Sequence, residues 1–169
     1  MILYPDIYLK NVTEITLELL AKNDIKGLLL DVDNTLIDFD HKILDGVQDW
    51  CKNLKNNGIK LCILSNTNKI EKVKRVAKEL NLEYLNFAKK PAKSGFKKAC
   101  KLLNLEPKNL AAVGDQIMTD VLGGNRMGMY TILTKPLGKK DIFITKVKRP
   151  LENLIIKQYL KKVGEKNVL

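Results

Sequence analysis

Histidine occurs once in this chain, tryptophan once, and cysteine three times. Cys51, Cys62 and Cys100 are far apart and odd in number, with no CxxC pair. That excludes a disulfide framework and reads as reduced, mostly buried thiols. The single His41 leaves a zinc site or a Cys–His couple without ligands, and His41 itself reads as a loop residue. Aromatic residues make up only 6%, and none are interleaved with a basic stretch. Single-stranded nucleic acid is therefore not an expected partner. No apolar run approaches the roughly 18 residues of a membrane span. The N-terminus carries Asp6 and lacks a basic cluster before an apolar stretch, so no secretory leader is expected and the cytoplasm is the expected compartment.

Acidic residues are also in the minority. Nineteen face thirty basic ones, giving a net charge of +11. A lysine-rich solvated surface explains this as well as an anionic partner does, and charge alone does not choose. The chain has 169 residues, which predicts a single domain, 1–169, able to bury a real core.

Short apolar runs alternate with helix-like stripes. The runs are Gly27–Leu30, Lys60–Leu64, Tyr84–Phe87, Leu110–Val113 and Tyr130–Leu133. Between them, Val47, Trp50, Cys51 and Leu54 keep helical spacing. So do Ile70, Val73, Val76, Ala77 and Leu80, and then Phe96, Ala99, Cys100 and Leu103. This order predicts an α/β fold, a Rossmann-like, doubly wound parallel sheet of about five strands. The tail, 141–169, has a broad apolar face with Lys157 and Lys161 opposite. It predicts a final helix packed on the core, with contact to anionic lipid as the rival reading.

Polar residues stand where the strands end. Asp31 and Asp33 follow the first run, Ser65 the second, Lys90 the third and Asp115 the fourth. Ligands of such sheets bind beyond the carboxyl ends of the strands, so these residues are expected to meet. Taken singly, each also reads as a cap or turn residue. Taken together they describe phosphate chemistry. Two close carboxylates suit a hard cation with oxygen ligands. One carboxylate can attack phosphorus while the other moves a proton. A lysine neutralises charge on the transferring group, Gly114 permits close backbone approach, and Ser65 can hold phosphate oxygens.

These residues fall in motifs. Asp31-Val32-Asp33-Asn34-Thr35, Ser65, Lys90-Pro91 and Gly114-Asp115-Gln116-Ile117-Met118-Thr119-Asp120 appear in that order. The chain resembles the haloacid dehalogenase superfamily phosphatases over a motif core of residues 27–133. The resemblance implies Mg²⁺ as cofactor, Asp31 as nucleophile and Asp33 as general acid/base. It implies Asp31, Asp33 (through its backbone carbonyl) and Asp115 as metal ligands. Thr35, Ser65, Asn66 and Lys90 are the implied phosphate-binding residues, with Lys93 as a rival for the lysine role. Gly114 and Asp120 are implied supports. A carboxylate at Asp33 points to phosphate-ester hydrolysis and away from carbon–halogen cleavage.

Only 33 residues separate Asp31 from Ser65 and 24 separate Ser65 from Lys90, too few for an inserted cap domain. A capless, open site is therefore expected. With Gly123-Gly124-Asn125-Arg126 the pattern is similar to the YqeG-type branch of subfamily IIIA, whose relatives include phosphatidylglycerophosphate phosphatases. This implies a lipid phosphate as candidate substrate and an anionic membrane surface, on its inner face, as candidate partner. A soluble sugar phosphate, nucleotide or phosphoprotein is the alternative substrate. A regulatory module docking RNA, ribosome or membrane is the alternative role.

Overall fold

The computed structural model describes residues 1–137 and 143–166. Six parallel strands form one sheet in the order β1-β6-β5-β2-β3-β4. The strands are β1 Ile7–Leu9, β2 Gly27–Leu30, β3 Lys60–Leu64, β4 Glu83–Leu85, β5 Leu110–Gly114 and β6 Tyr130–Thr134. The helices are α1 Leu17–Lys22, α2 Val47–Asn56, α3 Ile70–Leu80, α4 Lys93–Leu103, α5 Leu122–Met127 and α6 Phe143–Lys166. The expected doubly wound α/β fold is present.

Side chains alternate across the sheet because the strand period is two. Leu28, Leu30, Leu61, Ile63, Ala111 and Val113 face α2 and α3. Leu29, Cys62, Leu64, Leu110 and Ala112 face α4, around Phe96 and Ala99. β2 is buried along its whole length, which explains its unbroken glycine–leucine run. Truncating a core residue such as Phe96 to alanine is worth about 3–5 kcal/mol of stability. Gly123 has a packing role here, since a Cβ on it would lie 2.4 Å from the Phe96 ring.

The sheet has six strands, one beyond the five apolar runs marked in the sequence. The extra strand, β1, is three residues long, half-buried and on the sheet edge. So short a segment shows no period, and its partner β6 lies far along the chain, with Ile7 opposite Ile132. Asp6 secures it, its carboxylate accepting from the Thr131 N–H at 2.7 Å and hydroxyl at 3.0 Å. The Asn125 amide adds donations to the carbonyls of Ile2 (2.7 Å) and Tyr4 (3.0 Å).

α6 buries Glu152, Ile155 and Tyr159, and Ile155 joins Ile117, Val121 and Leu133 in a third apolar cluster. The Tyr4 and Tyr159 rings meet edge-on at 5.8 Å. Of the expected tail, residues 141–142 and 167–169 lie outside the described residues, as do 138–140 of the preceding loop.

The chain first builds outward from β2 to β3 and β4, then crosses back to β5 and β6. The point of reversal lies between β2 and β5. Residue Leu30 is level with both Ile63 and Val113, so the carboxyl ends of the three central strands finish together.

Candidate active site

At this common edge the Asp31 N–H donates to the Val113 carbonyl at 2.9 Å, placing Asp31 one residue beyond β2. The Ser65 N–H donates to the Leu85 carbonyl at 3.0 Å. Ser65 therefore continues β3 rather than heading α3, which starts only at Ile70. The Ser65 hydroxyl accepts from the Thr67 N–H at 3.2 Å, so it shapes the turn as well as facing the site.

Lys90 is the centre of the arrangement. Its buried ammonium donates to Asp31 Oδ1 at 2.8 Å and to Asp120 Oδ1 at 2.7 Å. Asn66 fixes its backbone: the Lys90 N–H donates to Asn66 Oδ1 at 2.7 Å and Asn66 Nδ2 donates to the Lys90 carbonyl at 2.9 Å. The Asn66 amide thus acts on Lys90, whatever its backbone offers a phosphate. Lys93, the rival lysine, is exposed at the start of α4.

Carboxylate oxygens of Asp31, Asp115 and Asp120 all lie within 4.8 Å of one another. Three buried acids face one buried ammonium, an excess of negative charge that desolvation makes expensive. The donor set is all oxygen, which fits a hard divalent cation such as Mg²⁺. Burial pushes the Asp31 carboxyl up to about 6; the Lys90 ammonium pulls it down, and Asp120 and then Asp33 push it up again. Lys90 is itself desolvated, yet Asp120 and Asp31 outweigh that and hold it above the usual lysine range.

Asp120 rides on a π-helical turn, Ile117–Val121, a conformation that recurs at functional sites. Gly114 makes room for it, because a Cβ there would fall 2.1 Å from Asp120 Oδ2. The Gln116 N–H, at 3.3 Å, and Thr119 hydroxyl, at 3.3 Å, also donate to Asp120 Oδ2. Glu152 reaches in from α6, Oε1 accepting from the Met118 N–H at 3.1 Å.

The Asp33 carboxylate is not one of the three clustered acids; it makes an ion pair with Lys72 of α3. Its expected metal contact is a backbone carbonyl, so this pairing leaves that expectation standing. Thr35 is fully buried, and its hydroxyl has no hydrogen-bond partner among the described residues. A small cavity of about 90 Å³ lies among Asp31, Asp33, Ser65, Lys90, Gln116 and Thr119. It accommodates a small group such as a phosphoryl, not a whole ligand. A larger groove of about 590 Å³ sits at the opposite ends of β3 and β4, around Lys60 and Glu83, away from this chemistry.

Lys72, Gln116, Thr119 and Glu152 escaped the sequence reading. Lys72 sits on the polar side of an amphipathic helix and there looks like any solvated lysine. Gln116 lies inside the acidic motif, and only the geometry shows it lining the cavity. Neither Cys51 nor Cys62 lines the cavity, and burial pushes their thiols up to about 11 and about 12.

The family profile of the haloacid dehalogenase-like hydrolases matches residues 39–128. The sequence is also 37% identical to YqeG, described as a probable phosphatase, of Bacillus subtilis (strain 168), over 90% of this chain and 88% of that one. The chain belongs to the haloacid dehalogenase-like hydrolases. This hydrolase is further similar to phosphatidylglycerophosphate phosphatase 1, chloroplastic/mitochondrial, of Arabidopsis thaliana, at 29% identity over 94% of this chain and 48% of that longer one. Its fold matches the crystal structure of an uncharacterised protein from Listeria monocytogenes serotype 4b, with a TM-score of 0.55, 19% identity, and 79% of this chain and 99% of that chain covered. No cap domain interrupts the described part of this hydrolase: α2 and β3 fill one gap, and α3 and β4 the other.

Proposed function

We propose that this hydrolase is a Mg²⁺-dependent phosphomonoesterase that works through an aspartyl phosphate on Asp31, with phosphatidylglycerophosphate as its substrate. The observation that carries the reading is the Lys90 ammonium bridging Asp31 and Asp120 beside a phosphoryl-sized cavity. Asp31, Asp115 and the Asp33 backbone carbonyl would hold the cation, with Asp120 supporting them, and the cation would supply charge neutralisation for the phosphoryl oxygens.

An Asp31 oxygen attacks phosphorus as the bond to the leaving oxygen breaks. Asp33, paired with Lys72 in the resting site, must enter this step protonated; it gives that proton to the leaving oxygen, releasing an alcohol. Asp33 then takes a proton from water, the hydroxide displaces Asp31 from phosphorus, and inorganic phosphate departs. Lys90 stays protonated throughout, because two carboxylates flank it, and it screens charge at Asp31. Ser65 and Thr119 line the cavity where phosphoryl oxygens would lie.

The lipid reading draws on the likeness to the Arabidopsis protein and on the absence of a cap, which leaves the site open to a headgroup presented at a surface. α6 adds exposed Leu151 and Leu154 beside exposed Lys157 and Lys161, a face suited to peripheral contact with anionic lipid. Among the described residues no helix is long and apolar enough to cross a membrane.

The test is phosphate release with Mg²⁺ from a panel: p-nitrophenyl phosphate, sugar phosphates, nucleotides, phosphopeptides and phosphatidylglycerophosphate vesicles. Release that is fastest from the vesicles and abolished by Asp31→Asn is the expected result. Activity confined to soluble esters removes the lipid substrate. Full activity of Asp31→Asn removes the mechanism.

A further inference from the structure

A groove of about 490 Å³ adjoins the phosphoryl cavity, and Asp33 lines both. Its other walls include Phe39, His41, Lys69 and Lys72. We propose that this groove binds the leaving group of the substrate, and that the leaving group carries a second phosphate. The inference rests on the phosphomonoesterase reading above, whose lipid substrate has a phosphodiester in its leaving group, and adds Lys69 and Lys72 as the residues that hold that second phosphate.

The position follows from Asp33. A residue that protonates the leaving oxygen must touch it, so the rest of the leaving group extends from Asp33. The small cavity on the Asp31 side has no room for it, whereas the groove is the size of an ordinary ligand site.

The charge follows from two lysines that both line the groove, Lys69 at the N-cap of α3 and Lys72 in its first turn. Lys72 is largely buried, its side chain only 10% exposed, and donates to Asp33 alone among the described contacts. An ammonium has three donors, so it can hold Asp33 and a second anion together. Lys69 is exposed and makes no ion pair among the described residues. The other acid in the groove, Asp38, has Oδ1 occupied by the Lys42 N–H at 2.9 Å. Phe39, 47% exposed, offers an apolar surface to the carbon skeleton between the two phosphates. A tetrahedral phosphate, a terminal monoester or a singly charged diester, suits two flexible point charges, the usual way lysine binds phosphate.

The experiment compares kcat/KM for glycerol 3-phosphate and glycerol 1,3-bisphosphate, which differ only in the second phosphate. The parent should favour the bisphosphate by about tenfold or more, as expected for a charge-assisted contact. Lys69→Ala and Lys72→Ala should each erode that ratio. The double variant should bring it to about two, the value set by two equivalent phosphates, and Lys72→Arg should restore most of it. Equal kcat/KM in the parent, or a preference that survives the double variant, overturns the groove assignment and leaves the phosphatase intact. Phosphate release from no ester at all overturns the phosphatase reading and the groove with it. A further arm uses phosphatidylglycerophosphate in phosphatidylcholine vesicles. The same loss in the variants makes the groove a site for a lipid headgroup's phosphodiester, while a loss confined to the soluble bisphosphate makes it a site for a free phosphate.

Discussion

Replacing Asp31 with asparagine should stabilise the metal-free protein at neutral pH while ending its chemistry. Asp31 has its carboxyl raised from 3.8 to about 6, first by burial and then, against the pull of Lys90, by Asp120 and Asp33. In the unfolded chain the group ionises near 3.8. Between that pH and about 6 the unfolded state gives up the proton and the folded state keeps it, so folding weakens as pH rises through this window. Above about 6 the folded protein must carry the anion, at a cost of about 3 kcal/mol. Asparagine has the shape of the neutral acid and avoids that cost. For a domain of this size the gain corresponds to about 6–12 °C in Tm. The assay is thermal unfolding followed by circular dichroism, in EDTA, for parent and variant from pH 4 to pH 7. The two should differ little at pH 4 and separate fully by pH 7. Added Mg²⁺ should close the gap, because it binds the folded parent preferentially. A parent as stable as the variant at pH 7 in EDTA refutes the charge-excess account of the site.

Two further substitutions probe the same cluster. Lys90→Met leaves Asp31 and Asp120 buried without their shared cation. It should cost about 3–5 kcal/mol in urea unfolding, much of it recovered when Asp31→Asn is added. Gly114→Ala drives a methyl to within 2.1 Å of the Asp120 carboxylate unless the loop moves. Mg²⁺ titrations by calorimetry should show affinity lower by about tenfold or more, and unchanged affinity would mean that Asp120 is dispensable to the cation site.

The central strands were readable because a buried strand needs an apolar run and an abrupt polar end. Asp31, Ser65 and Asp115 were marked that way, Lys90 followed the third run at a distance, and the parallel topology brought them together. Lys72 was not readable, since its neighbours Ile70 and Val73 only say which face of α3 is buried. Its pairing with Asp33 depends on how the Asn34–Ile43 loop folds, and no local pattern encodes that. Glu152 hid in the tail for the same reason: its 1% exposure comes from the loop it caps, over thirty residues earlier. β1 was missed because three half-buried residues acquire strand character only from a distant partner.

The distance between β1 and β6 also orders events in time. A ribosome makes Ile7 well over a hundred residues before Ile132, the residue it pairs with. The acids and Lys90 are all made by residue 120, and β2, β3 and β5 can join without β1. Long-range pairing carries a large loop-closure cost, so the β1–β6 pair is expected to form after the central strands. Weakening the Asp6–Thr131 clasp should then speed unfolding far more than it slows folding.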